Sequence, residues 1–133
     1  MNDVFIKTLF SSVYEKIGLP QSLNAITDDH ELVIDEQHPV LMRYDRSTEQ
    51  LLLISQVEIA TISVSEQPEL NKRLLHAALN PLRNLGPGVG IDDKSGLCFS
   101  YFMLARHAMN ADLICQKLAE LVEWNKKLLT QVQ

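Results

Sequence analysis

Gly88–Ala105 reads G-V-G-I-D-D-K-S-G-L-C-F-S-Y-F-M-L-A. Two apolar runs, Val89–Ile91 and Leu97–Leu104, flank the polar stretch Asp92–Gly96. Five polar or small residues ending in Gly, where φ > 0 is needed, predict a hairpin turn closing on a G1-type bulge. In the second run Leu97, Phe99, Tyr101 and Met103 point one way, and Cys98, Ser100, Phe102 and Leu104 the other. A strand apolar on both faces must be covered on both, by a helix, by a partner, or by both. The remainder of the chain supplies those covers.

Downstream, Asn110 is placed to cap a helix running to about Leu129, with Ile114, Leu118, Leu121, Leu128 and Val132 on one stripe and Leu113, Val122 and Leu129 at its margins. Asn125 interrupts that stripe. It reads either as an amide bonded to nearby backbone or near a frayed end, or as a polar specificity device at a packed contact. Trp124, toward one edge, reads as packing. Upstream, Ser63 or Ser65 is placed to cap another helix, with Pro68 in its first turn. Its apolar face is Leu70, Leu74, Ala77 and Ala78, widened by Leu75, Leu79 and Leu82. Pro81 should kink or end it, and Gly86-Pro87-Gly88 stops it. Before that lie three strands, Glu31–Asp35, Val40–Tyr44 and Gln50–Ile59, with turns short enough for an antiparallel meander. Gln21–Asp29 is a connector with weak strand character around Leu23–Ile26. The chain opens on a helix over Asp3–Ile17, with Phe5, Ile6, Leu9, Phe10, Val13 and Ile17 on one face, closed by Gly18 and Pro20. The order α-β-β-β-α-β-β-α predicts an α+β fold, a single domain over 1–133, with helices gathered against one antiparallel sheet.

At 133 residues the chain fits one domain with a modest core. A net charge of −5 offers no basic run to displace counterions from phosphates, which argues against a nucleic-acid partner. No apolar run approaches membrane-spanning length, so no membrane partner is expected. Cys98 and Cys115, without a disulfide framework or a legible signal peptide, read as free thiols in a reducing compartment. His30, His38, His76 and His107 have no zinc-site spacing and read as surface or turn histidines. Asp92 and Asp93 could pair for acid–base chemistry, but adjacent turn residues point apart. Gly86–Gly90 lacks the G-K-[ST] of a phosphate loop and leads into a strand. Neither cysteine has a His or basic neighbour at a helix start to make a thiolate. No nucleophile, metal site or cofactor motif is legible, and no catalytic residue and no cofactor are expected.

Several strings resemble the class I type III secretion chaperones. Glu15-Lys16-Ile17-Gly18-Leu19-Pro20 is similar to the E-K-[IL]-G-[IL]-P that closes the first helix there, and Leu32-Val33-Ile34-Asp35-Glu36 to that family's apolar run ending in acid. The Leu51-Leu52-Leu53 strand and the Gly90–Leu97 hairpin also fit the pattern, whereas Pro81 departs from it. The resemblance spans nearly the whole chain. It implies a homodimer of the bacterial cytoplasm, without catalytic activity, that holds the N-terminal segment of a secreted effector extended and delivers it to the secretion apparatus. The secretion ATPase or a regulator would be further partners. The same fold could instead serve as a partner-switching regulator, and a small α+β enzyme is the remaining alternative. The wide stripe of the first helix and the two-sided meander place client contacts at Phe5, Leu9, Val13, Val40, Met42, Leu52 and Ile54. Met42 stands out, because a flexible thioether adapts to varied side chains. The resemblance places the dimer contact among Leu74, Ala78, Phe99, Tyr101 and Met103.

Overall fold

The computed structural model describes residues 4–19, 29–59, 62–84 and 86–132. Four helices and five strands follow in the order α1 (Val4–Ile17), β1 (Asp29–Ile34), β2 (His38–Asp45), β3 (Gln50–Val57), α2 (Gln67–Ala77), α3 (Asn80–Arg83), β4 (Gly88–Ile91), β5 (Cys98–Ala105) and α4 (Ala111–Val132). The expected α+β order holds, with one helix split in two. The segment around Leu23–Ile26 lies outside the described residues.

The strands form one antiparallel sheet in the order β1-β2-β3-β5-β4. Local chemistry sets each turn. Asp35 and Glu36 both adopt positive φ, and Gln37 N–H donates to the Ile34 carbonyl, so a tight primed-type turn joins β1 to β2. Between β4 and β5, Gly96 takes φ +72°, its N–H donates to the Asp92 carbonyl, and Asp92 N–H donates to the Leu97 carbonyl at 2.9 Å. The hairpin and its positive-φ glycine stand where the sequence puts them, but the register runs unbroken from Ile91 opposite Cys98 to Asp92 opposite Leu97, so the loop closes on an i→i+4 bond without the expected G1 bulge.

The helix ends follow the same logic, with one correction. Asn110 Oδ1 accepts from Leu113 N–H at 2.8 Å, capping α4 as expected. Ser63 and Ser65 do not cap α2. They bond each other through their hydroxyls at 3.1 Å, a short 3-10 turn intervenes, and α2 begins at Gln67 with Pro68 in its first turn. Pro81, lacking an N–H, ends α2 at Ala77 and is accommodated at the start of the one-turn α3.

The three longer helices, α1, α2 and α4, pack on one side of the sheet. Ile6, Leu9, Phe10 and Val13 of α1 and Ile114, Leu118 and Leu121 of α4 pack on Leu32, Val40, Met42, Leu51 and Leu53. Leu70, Leu74 and Ala77 of α2 and Leu128 of α4 form a second cluster with Val57, Val89 and Cys98. A polar seam runs between the clusters. Ser55 and Ser100 face each other across β3 and β5. Asn125 Nδ2 donates to Ser55 Oγ at 3.0 Å, and its Oδ1 accepts from Ser100 Oγ at 2.6 Å. The residue that breaks the helix stripe therefore serves two strand hydroxyls inside the fold, rather than nearby backbone.

Candidate functional site

Period-two alternation puts the other residues of the same strands on a face that none of the described helices covers. Leu41 of β2, Leu52 and Ile54 of β3, and Phe99, Tyr101 and Met103 of β5 line an apolar depression of about 480 Å³ there. Register brings them together: Leu41 lies opposite Ile54, Ile54 opposite Tyr101, and Leu52 opposite Met103. β4 contributes glycine to this face. A Cβ on Gly88 would fall 2.4 Å from Tyr101 Cζ, so the absence of a side chain lets the tyrosine ring lie across the neighbouring strand. Toward β1 the apolar row ends at a two-pronged ion pair, Arg43 Nε and Nη2 donating to the Asp29 carboxylate at 2.9 and 3.3 Å.

The expected client residues divide between the two sides. Leu9, Val13, Val40 and Met42 are buried against the helices, Met42 at 0% exposure, and this corrects their placement as surface contacts. Leu52 and Ile54 stand on the open face, half-buried. Phe5 is exposed on the helix side, where the Arg106 guanidinium lies 4.8 Å from its ring centre. Of the expected dimer residues, Phe99, Tyr101 and Met103 share the open face with Leu52 and Ile54. Ala78 is exposed at the cap just past α2, whereas Leu74 points inward at 8% exposure and is corrected to a core residue. Leu41 was missed. The signal for it was parity: Val40, Met42 and Tyr44 share a face, so Leu41 must lie with Leu52 and Ile54 once β2 pairs β3.

The sequence profile of the Tir chaperone protein (CesT) family matches residues 8–128, nearly the whole chain. The chain belongs to the CesT family. It is similar to a chain of the HopA1–SchA chaperone–effector complex, at 29% identity and a TM-score of 0.78, with 94% of this chain and 93% of that one covered. A chain of the ExsC–ExsE complex follows at 21% identity and TM-score 0.71, covering 93% and 92%. The Yersinia pestis type III secretion chaperone SycH, solved with a stable fragment of YscM2, has the same fold at 16% identity and TM-score 0.68, covering 92% and 98%. No curated protein sequence matches this CesT-family chain.

Three titratable side chains of this CesT-family protein, Asp92, Cys98 and His30, sit in structural surroundings. Asp92 is held below the ordinary aspartate range chiefly by the Ser95 hydroxyl, then by Lys94 N–H. Burial pushes the Cys98 thiol up to about 11, away from thiolate chemistry. His30, expected at the surface, is instead 4% exposed in β1, its Nδ1 3.0 Å from the Tyr14 hydroxyl and its ring 4.5 Å from that of Phe10. The tyrosine supplies the partner that a buried imidazole needs. Among the described residues no His, Cys, Asp and Glu group is arranged to hold a metal ion, and no helix is long and apolar enough to cross a membrane.

Proposed function

We propose that this chain acts in the bacterial cytoplasm, as a homodimer without a catalytic step, to bind the N-terminal chaperone-binding segment of a type III secreted effector. It keeps that segment extended and passes it to the secretion apparatus. One observation carries the reading: in a CesT-family fold whose helices α1, α2 and α4 cover one side of the sheet, the other side presents a continuous apolar surface. A single soluble domain rarely leaves such a surface bare unless a partner covers it.

Client contacts fall on the meander half of that face, at Leu41, Leu52 and Ile54, with Phe5 as a separate contact beyond the sheet's end. An extended segment laid over this half can seat alternate side chains between the exposed rows. The dimer contact uses the β5 half, Phe99, Tyr101 and Met103, together with Ala78 on α2. Calorimetry with the effector's N-terminal segment tests the first part. Ile54→Asp, checked for unchanged thermal stability, should weaken binding, and wild-type binding by folded Leu41→Asp, Leu52→Asp and Ile54→Asp variants would place the client elsewhere. Light scattering tests the second. The wild type should be dimeric at micromolar concentration and Tyr101→Asp monomeric, because an unpaired charge in a desolvated contact costs several kcal/mol.

A further inference from the structure

Charge is spread unevenly over the chain. Residues 29–57, the three strands of the meander with their turns, carry six carboxylates against Arg43 and Arg46, a formal charge of −4 within a protein of −5. On the open face this charge frames the apolar contacts. Along the β2–β3 pair the register sets Leu41 beside Ile54, then Arg43 beside Leu52, then Asp45 beside Gln50. Glu31, exposed on β1, lies opposite Leu41 and so stands at the outer end of the first of these rows. Arg43 is already engaged by the Asp29 carboxylate through Nε and Nη2. Asp45 accepts from the Ser47 hydroxyl at 2.7 Å and from its N–H at 2.9 Å, and these bonds hold its carboxyl below the ordinary aspartate range. Among the described residues no cation forms an ion pair with Glu31 or Asp45.

We infer that the segment taken by the meander half of the open face is a basic one: an extended stretch with apolar residues at alternate positions, flanked by lysine or arginine that meets Glu31 and Asp45. This rests on the client reading above and adds the chemistry the client carries. The segment runs along the strands. Alternate side chains of an extended chain are about 6.6–6.8 Å apart, which matches successive rows on one face of a strand, whereas neighbouring strands are only about 4.8 Å apart. Apolar side chains then seat over Leu41, Ile54 and Leu52 in turn, and positions beyond them reach the Asp45–Gln50 row. Each exposed charge pair contributes little, so the apolar seats supply affinity and the charges decide which segment is accepted. A second copy is disfavoured as the occupant, because a two-fold contact would set the acidic meander against itself.

The probes are synthetic peptides of about eleven residues, long enough in extended form to overrun the rows, with Leu at alternate central positions, Ser between them, and either Lys or Glu at both ends. Calorimetry on the full-length protein should find the Lys peptide bound about tenfold more tightly than the Glu peptide, the combined effect of several weak surface pairs. That preference should fade in 1 M salt, where screening shortens to about 3 Å. Glu31→Lys, checked for unchanged thermal stability, should weaken the Lys peptide about fivefold and strengthen the Glu peptide. Should that variant fail to fold, Glu31→Gln takes its place and should narrow the gap between the peptides. A Lys peptide with Ser in place of every Leu should not bind. Equal binding of the Lys and Glu peptides, a gap unchanged in the Glu31 variant, or undiminished binding of the leucine-free peptide overturns the inference. Leu41→Ser/Ile54→Ser separates it from the client reading, because that change removes apolar seats and leaves the charges. If the double variant weakens both peptides alike while the wild type binds them equally, only the charge inference falls. If it binds both as the wild type does, or if the wild type binds neither, the client reading falls with it.

Discussion

Replacing Asn125 with alanine tests whether the polar seam holds the two halves of the core in register. The amide makes two hydrogen bonds, from its Nδ2 to Ser55 Oγ and to its Oδ1 from Ser100 Oγ. Ser55 keeps a partner without it, since its hydroxyl also donates to the Pro39 carbonyl at 3.2 Å. Ser100, at 0% exposure, keeps only a 3.5 Å approach to the Ser55 carbonyl. Two net hydrogen bonds at ~1 kcal/mol each, plus part of the desolvation penalty of an orphaned hydroxyl, give a loss of about 2–3 kcal/mol for Asn125→Ala. Asn125→Leu should lose a similar amount, because it removes the same two bonds and sets an apolar side chain over the Ser100 hydroxyl. Removing all three groups together, Ser55→Ala, Ser100→Ala and Asn125→Leu, should recover most of the loss, since replacing every partner by apolar groups is close to neutral. Urea unfolding followed by circular dichroism measures the series. The reasoning fails if Asn125→Leu alone is as stable as the wild type, because the serines would then not depend on the amide.

Met42→Ala should destabilise the fold by about 2–4 kcal/mol, the scale of a buried large-to-small change, instead of weakening client binding in a stable protein. Thermal unfolding beside calorimetry separates the two. Glu36→Gly should raise stability by about 1 kcal/mol, because residue 36 sits at φ 61° in the Asp35–Gln37 turn, where a Cβ is unfavourable. Urea midpoints read this directly, and a destabilised variant would show that the Glu side chain contributes more than its backbone costs. Asp92 has a lowered folded pKa, so its contribution is present above the ordinary aspartate value and lost as pH falls through the lowered one. The stability gap between wild type and Asp92→Ala should therefore be open at about pH 6 and narrow on acidification through the carboxylate range.

Most of the architecture was legible because its signals are local. The 3.6 period of Ile6, Leu9, Phe10 and Val13, the Asp92–Gly96 turn and the Asn110 cap each fix an element without help from distant residues. The faces were harder, and β3 shows why. Leu51-Leu52-Leu53-Ile54 is apolar at every position, so alternation within it does not say which parity the helices take. Choosing Val40 and Met42 together with Leu52 and Ile54 mixed the two faces, and only the pairing of Leu41 with Ile54 separates them. Burial of His30 was equally illegible, since its partner Tyr14 lies sixteen residues away on another element. Asn125 was legible as an anomaly, but its partners lie 70 and 25 residues away in the chain. A single sequence marks such a residue without naming what it touches.

The same alternation explains how one sheet can both fold the protein and hold a partner. Along β3 the odd positions Leu51 and Leu53 are fully buried under α1 and α4, while Leu52 and Ile54, alternating with them, face away from the described helices. Side chains one residue apart thus do separate work, the first set stabilising the sheet and the second left for contact. Three features keep the open face from becoming a general site of aggregation. The Asp29–Arg43 pair bounds it at one side, and a charged residue beside an apolar sheet surface disfavours pairing with another chain. Gly88 lets Tyr101 lie flat across the neighbouring strand, which fills part of the depression from within. The helices on the opposite side hold the strands in place whether or not the face is occupied. Its shape is therefore set without a partner, and an extended segment laid there, as proposed, would order only itself. That keeps the entropic cost of capture on the side of the client.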